Sequence, residues 1–265
     1  MRQDNQPKKL APKVPEINFK PLCPNAVTML ALAFGVSSIN MSLWGSWGLA
    51  VLFIFGSMVF DFMDGKVARL LGVSSKFGAE LDSLSDFVSF GVAPGVLTYL
   101  WSMKVSVFRG IPRADAVGVY WIFALFLAMC CATRLARFNS LLDEKQPDYW
   151  WHFFMGVPAP AGAGLALFPI ILWEATGWGG FRNPIFVGFF LCFSGFMMAS
   201  RIPTLSLKHL HIPKKYSVAL LPVALFFIAG LFGAPWVTLS LLGVGYILTI
   251  PVCVYYFLKF KKEAS

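Results

Sequence analysis

Four aspartates, Asp61, Asp64, Asp82 and Asp86, lie in two stretches of chain that are otherwise apolar enough to cross a lipid bilayer. A lone Asp at mid-bilayer costs about 2.5–3.5 kcal/mol on insertion scales. Four together also repel one another, and a divalent cation is the natural compensation. The spacing agrees with this. Asp61 and Asp64 are i, i+3, and Asp82 and Asp86 are i, i+4, so each pair shares one face of a helix. Gly65, Ala68 and Arg69 continue the first face, and Gly78 precedes the second pair by one turn. The connection between the stretches is short, which makes the two helices antiparallel neighbours with converging acidic faces. An all-oxygen donor set suits Mg²⁺, Mn²⁺ or Ca²⁺ and argues against zinc. The small residues leave room for a bulky group, and Arg69 adds a fork of donors that matches phosphate. The plainer reading is ion pairing with Lys66, Arg69 and Lys76. Four acids on two facing helices favour the functional reading, because intramembrane acids mark function by default.

The elements that must hold these acids are membrane helices. The chain has 265 residues, 57% of them hydrophobic and only 13% charged, against about a quarter charged in a soluble domain. Runs of about 20 apolar residues give eight candidate spans: Ala26–Leu43, Ser46–Leu71, Ala79–Trp101, Val117–Phe138, Phe153–Ala175, Pro184–Ser200, Ser217–Phe232 and Trp236–Leu258. Pro94 interrupts the third, and Pro158, Pro160 and Pro169 the fifth. With eight spans and both termini in the cytoplasm, all but four of the 22 Lys and Arg fall on the cytoplasmic side. The exceptions are Lys104, Arg109, Arg113 and Arg182, a bias that fixes orientation by the positive-inside rule. The acids then lie inside the bilayer near its cytoplasmic face. Asp61 is about 22 Å along its helix, at 1.5 Å per residue, across a hydrocarbon core about 30 Å thick.

The net charge of +9 is spread over short loops rather than one stripe, so nucleic acid is not an expected partner. The five Cys form no CxxC pair and lie mostly in apolar runs, so neither a disulfide framework nor a zinc site is expected. Residues 1–20 form a basic leader without an apolar core, read as lying on the cytoplasmic side. Residues 21–265 form one membrane domain. The expected fold is therefore all-α, a polytopic membrane bundle of about eight helices. His209 and His211, in a basic loop, read as headgroup contacts. A secondary transporter would also use intramembrane acids, but no internal symmetry supports it.

The run Asp61-Phe-Met-Asp64-Gly65-Lys-Val-Ala68-Arg69, followed by Gly78, Asp82 and Asp86, resembles the full signature of the CDP-alcohol phosphotransferase family. Three further segments resemble its serine-accepting membrane branch in bacteria and archaea: Leu81–Pro94, Arg134-Leu-Ala-Arg137-Phe-Asn139 and Gly156-Val-Pro158-Ala-Pro160. Pro24-Asn25-Ala26-Val27-Thr28 also fits. The resemblance implies a six-helix core plus two C-terminal helices, and transfer of a phosphatidyl group from CDP-diacylglycerol to L-serine with release of CMP. It implies that Asp61, Asp64, Asp82 and Asp86 bind one or two Mg²⁺ or Mn²⁺ ions, with Asp86 also the general base. Pro24, Asn25, Ala26, Val27, Gly65, Arg69, Ser75 and Gly78 would contact the CDP-diacylglycerol. Arg134, Arg137 and Asn139 are candidates for the acceptor or a phosphate. Glycerol 3-phosphate, inositol phosphate and choline remain alternative acceptors, since the metal motif is shared. Cell (inner) membrane placement, surrounding membrane lipids and a homodimer are the remaining implications.

Overall fold

The computed structural model describes residues 22–73, 75–108, 113–141, 153–205 and 214–264. The basic leader 1–20, the exceptions at Arg109 and the histidines His209 and His211 lie outside them. Ten α-helices are seen among the described residues, and they confirm an integral, all-α membrane protein. They are α1 (Leu22–Leu43), α2 (Trp47–Leu71), α3 (Lys76–Asp86), α4 (Ala93–Phe108), α5 (Arg113–Leu141), α6 (Ala159–Ala166), α7 (Phe168–Thr176), α8 (Pro184–Ala199), α9 (Lys214–Gly233) and α10 (Pro235–Ala264).

By length and composition, four of these helices are able to cross a bilayer: α1, α2, α5 and α10. The count becomes five if the bent pair α6 and α7 is one span. The expected eight is not reached on that criterion. The third run carries Asp82 and Asp86 and passes through a π-helical turn, and α8 and the 221–233 part of α9 are shorter.

The third run holds a feature that Pro94 explains. Helix α3 passes through a π-helical turn, Phe87–Val92, straight into α4. Asp86, Phe87 and Ala93 all keep right-handed helical angles, so the run is one continuous helix. Proline has no N–H to return to the carbonyl four residues back. The ladder adjusts just before it, with the Ala93 N–H reaching the Val88 carbonyl five residues earlier. Such π turns re-aim side chains and are frequent at functional sites; this one begins directly after Asp86.

The fifth candidate span is corrected at its start. Phe153–Met155 is a strand, β1, paired antiparallel with β2 (Pro203–Leu205), Phe153 opposite Leu205. Gly156 follows with φ +75°, and a Cβ there would sit 2.7 Å from the Ser200 carbonyl, so both its angle and its contact need glycine. Only then does α6 begin, with Pro160 in its first turn, where a missing N–H costs nothing. Pro169, in the first turn of α7, breaks the pair, and the axes bend by 48°.

Interhelical contacts rely on small residues and hydroxyls, as membrane packing requires. Gly56 lets the Phe34 ring lie against α2. Ser57 donates to the Ala31 carbonyl at 2.7 Å, tying α2 to α1. Ser85 donates to the Thr28 carbonyl at 3.3 Å, tying α3 to α1. Phe90, Leu97, Trp101, Leu127, Ile170 and Leu191 are fully buried at the centre of the bundle.

Candidate active site

Convergence of the two acid pairs comes from a tight, locally coded turn. Helix α2 ends at Gly72 in the left-handed region, φ 62° and ψ 28°. Its N–H reaches the Arg69 carbonyl, and the Val73 N–H reaches the Ala68 carbonyl at 3.0 Å. This is the glycine closure expected at a helix C-terminus. Three residues on, Ser75 caps α3 by accepting from the Gly78 N–H at 2.9 Å. The chain thus reverses between Arg69 and Lys76, and the end of α2 faces the start of α3.

Asp61, Asp64 and Asp82 each place one carboxylate oxygen within 4.8 Å of the others. Asp64 is buried, and the Thr28 hydroxyl donates to it at 2.6 Å from α1. Asp86 adjoins Asp61, with the two side chains in hydrogen-bonding reach. Two ionised carboxylates at that range are tolerable only with a shared proton or a cation between them. The donor set is all oxygen and crowded, which fits a hard divalent cation. A Cβ added at Gly65, beside Asp64, would meet nothing within 4 Å, so open space adjoins the acids. The cluster can therefore hold a divalent metal with room for a ligand beside it.

The N-terminus of α1 closes one side. A Cβ on Gly78 would lie 3.1 Å from the Asn25 Oδ1, which brings the Pro24–Val27 turn against the start of α3. The Arg69 Nε donates to the Gly65 carbonyl at 2.9 Å, and this side chain is exposed at the helix end.

The structure separates the three candidates on α5. Arg134 acts electrostatically on both Asp61 and Asp86. Its Nε is buried without a hydrogen-bond partner, an unfinished donor. Arg137 turns away. Its guanidinium donates to the Ala199 and Ser200 carbonyls at 2.8 and 3.2 Å, closing the C-terminus of α8. Asn139 pairs with the Ser83 hydroxyl, the Nδ2 donating at 3.0 Å, and ties α5 to α3 between Asp82 and Asp86. Two residues escaped the sequence reading as site components, Thr28 and Ser83. Thr28 stands i+4 from Pro24 at the end of a matched segment, which was the available signal.

The sequence model for CDP-alcohol phosphatidyltransferase matches residues 21–199. The chain belongs to the CDP-alcohol phosphatidyltransferase family. A second model of the family, CDP-alcohol phosphatidyltransferase 2, matches residues 215–251, in α9 and α10. Similar curated proteins carry the name CDP-diacylglycerol–serine O-phosphatidyltransferase. That of Mycobacterium leprae is 32% identical over 235 residues, 88% of this chain and 75% of the relative. That of Bacillus subtilis is 34% identical over 179 residues, 68% and 87%. That of Methanocaldococcus jannaschii is 42% identical over 137 residues, 52% and 54%.

Proposed function

We propose that the protein transfers the phosphatidyl group of CDP-diacylglycerol to the hydroxyl of L-serine, giving phosphatidylserine and CMP. The observation that carries the reading is the four-aspartate cluster with the unfinished donor of Arg134 beside it. The names of relatives that align over most of the chain support serine as the acceptor.

Asp61, Asp64 and Asp82, with Asp86 adjoining, would hold Mg²⁺ or Mn²⁺, one ion or two. The metal supplies charge neutralisation on the pyrophosphate. Arg69 and the Pro24–Val27 turn bind the CDP portion, with Gly65, Ser75 and Gly78 letting it approach the backbone. Asp86 accepts the proton of the serine hydroxyl on a carboxylate oxygen. The serine oxygen forms its bond to the phosphorus that carries diacylglycerol. The bond from that phosphorus to the bridging oxygen breaks, and CMP leaves with the electron pair. Arg134 holds the serine carboxylate through paired N–H donors, which orients the hydroxyl toward the phosphorus. Glycerol and choline offer no carboxylate to this guanidinium.

The expected setting is the cell (inner) membrane, with both termini cytoplasmic, residues 1–20 on the headgroups and 21–265 forming one domain, as a homodimer. Reporter fusions that place either terminus outside would overturn the orientation. For the reaction, purified protein is given CDP-diacylglycerol, Mn²⁺ or Mg²⁺, and a panel of serine, glycerol 3-phosphate, inositol phosphate and choline. CMP release with serine is expected. Release with another alcohol alone would reassign the acceptor, and full activity in a verified metal-free sample would remove the metal.

A further inference from the structure

The helix that carries Asp86 meets α5 along a seam with three contacts in antiparallel order. At one end the Asn139 Nδ2 donates to the Ser83 hydroxyl at 3.0 Å. At the other, Gly91 packs on Cys131. Between them Asp86 lies in the field of Arg134. The two outer contacts are the same distance apart in sequence on both helices, Ser83 to Gly91 and Cys131 to Asn139. They therefore act as two pins, and what lies between them is held in register.

A regular helix would not form this seam. Asp86 and Gly91 are five residues apart, which in an α-helix places them about 140° from each other around the axis. The turn between them, Phe87–Val92, is π-helical. Bonding from i to i+5 winds five residues close to one full turn, so Gly91 returns to the side of Asp86. Ser83 is i, i+3 with Asp86 and shares that side as well.

The π turn is also wedged between two helices. A Cβ at Gly91 would lie 2.9 Å from the Cys131 Cβ and 3.1 Å from its Sγ, on α5. A Cβ at Gly35, on α1, would lie 2.8 Å from the Ser89 Cα, so the turn touches α1 through its own backbone. Ser89 and Gly91 are both buried, and the Ser89 hydroxyl donates to the Ala31 carbonyl at 3.5 Å. Bulk added against α5 thus has α1 in the way of its relief.

We propose that Gly91 is a positioning residue for Asp86. Its missing Cβ lets the π turn close on Cys131, and that contact, with the Ser83–Asn139 bond, holds the Asp86 carboxylate beside Arg134. The inference rests on the serine-transfer reading, in which Asp86 takes the hydroxyl proton, and adds to it what aims the base. Carbon atoms in contact sit about 3.5–4.0 Å apart, so a Cβ at Gly91 must part the turn from α5 by roughly 0.5–1 Å. A misplacement of about 1 Å can cost about 10²-fold in rate. The metal should be spared, because Asp61 and Asp64 stand on α2 and Thr28 of α1 holds Asp64.

Gly91→Ala tests this by CMP release with serine and Mn²⁺. The kcat per folded protein should fall about tenfold or more. The KM for CDP-diacylglycerol and the Mn²⁺ concentration for half-maximal activity should stay within about threefold. Cys131→Gly in the same chain removes the obstructing atoms and should return kcat to within about threefold of wild type. Gly95→Ala is the packing control. It adds a Cβ 3.2 Å from the Ala124 carbonyl of α5, beyond the π turn, and should lower the unfolding midpoint while kcat holds within about twofold. Equal kcat losses at Gly91 and Gly95, a loss that Cys131→Gly does not restore, or an unchanged kcat in Gly91→Ala would overturn the proposal. Should Gly91→Ala fail to fold, Cys131→Val adds bulk from the other side of the contact. Its kcat should fall about threefold or more, and an unchanged kcat there overturns the proposal equally. Asp86→Asn, assayed beside these, separates the two readings. If it keeps a tenth of the wild-type kcat, the base reading fails and this inference with it. If it is inactive while Gly91→Ala turns over normally, this inference fails alone.

Discussion

Both ends of the bundle hold partly buried charge, and they balance it in opposite ways. At the end away from the acids, Arg182 sits in a 3₁₀ turn, Gly179–Arg182, with its guanidinium 3.8 Å from the Trp173 ring centroid and 5.3 Å from that of Trp101. The two rings meet edge to face at 6.1 Å. Glu174 supplies the opposing charge. One acid, one base and two rings match their charges here, with cation–π contact adding to the pair, although the Arg182 Nε, like that of Arg134, is buried without a hydrogen-bond partner. At the other end, four aspartates face chiefly one buried guanidinium, that of Arg134. Among the described residues the excess negative charge has no partner of matching size, and a Gly65 face opens beside it. A balanced cluster holds helices together. An unbalanced cluster beside open space is built to be completed by a ligand.

The sharpest way to break this contrast is to remove one acid without changing shape. Asp86→Asn keeps the size of the side chain and loses the proton acceptor. Turnover should fall by about 10²–10⁴-fold, the usual worth of a positioned base, with folded protein retained. A variant that kept a tenth of the wild-type rate would move the base elsewhere. Chelation with EDTA should abolish activity, and Mg²⁺ or Mn²⁺ should restore it.

The next test separates two arginines three residues apart. Arg134→Lys should raise the KM for serine by roughly 10- to 150-fold, from about 1.5–3 kcal/mol for a charge-assisted pair, and should leave the KM for CDP-diacylglycerol near wild type. Lysine keeps the charge but cannot copy the paired donors. Arg137→Lys should act mainly on stability, through the freed Ala199 and Ser200 carbonyls. If both variants raised the serine KM alike, the division of labour on α5 would fail.

That division was not legible in the sequence, and the reason is physical. Residues at i and i+3 share a broad helix face, so spacing alone groups Arg134 with Arg137. Which one meets α3 and which meets α8 depends on how α5 packs. The acid pairs were legible because their convergence needs only helix periodicity and the Gly72 and Ser75 turn, all local. The strand at Phe153–Met155 was not, because a short apolar run reads alike as strand or buried helix. Pro94 announced an interruption, but not that the helix would continue through a π turn. Thr28 was seen as part of a matched segment, while its bond to Asp64 crosses 36 positions of sequence and no local pattern encodes it.

Thr28 gives a smaller effect within the acidic end. Thr28→Val keeps the shape and removes the donor to Asp64. An outer partner of a metal-binding carboxylate typically contributes 10- to 100-fold in metal affinity. The Mn²⁺ concentration for half-maximal activity should rise by that order, with kcat largely recovered at saturating metal. Thr28→Ser should restore most of the affinity. A lower kcat that saturating metal does not recover would show that Thr28 acts on packing instead.

The smallest effect is expected at the balanced end, and it tests the contrast from the other side. Arg182→Met fills similar volume against Trp173 and Trp101 but removes the positive charge. The loss comprises the cation–π contact, about 0.5–2 kcal/mol, and the counter-charge of Glu174. Stability in detergent should therefore fall by about 1–2 kcal/mol, read as a lower midpoint of unfolding. Replacing Glu174 by Gln in the same chain should recover part of it, because the uncompensated acid is then gone. Serine KM and metal requirement should stay within about twofold, since the continuous helix from Lys76 to Phe108 joins the two ends but the contacts of each cluster are local. If Arg182→Met raised the serine KM tenfold while the midpoint held, the outer cluster would be acting on the acids through that helix. The two ends would then form one device rather than a support and a site.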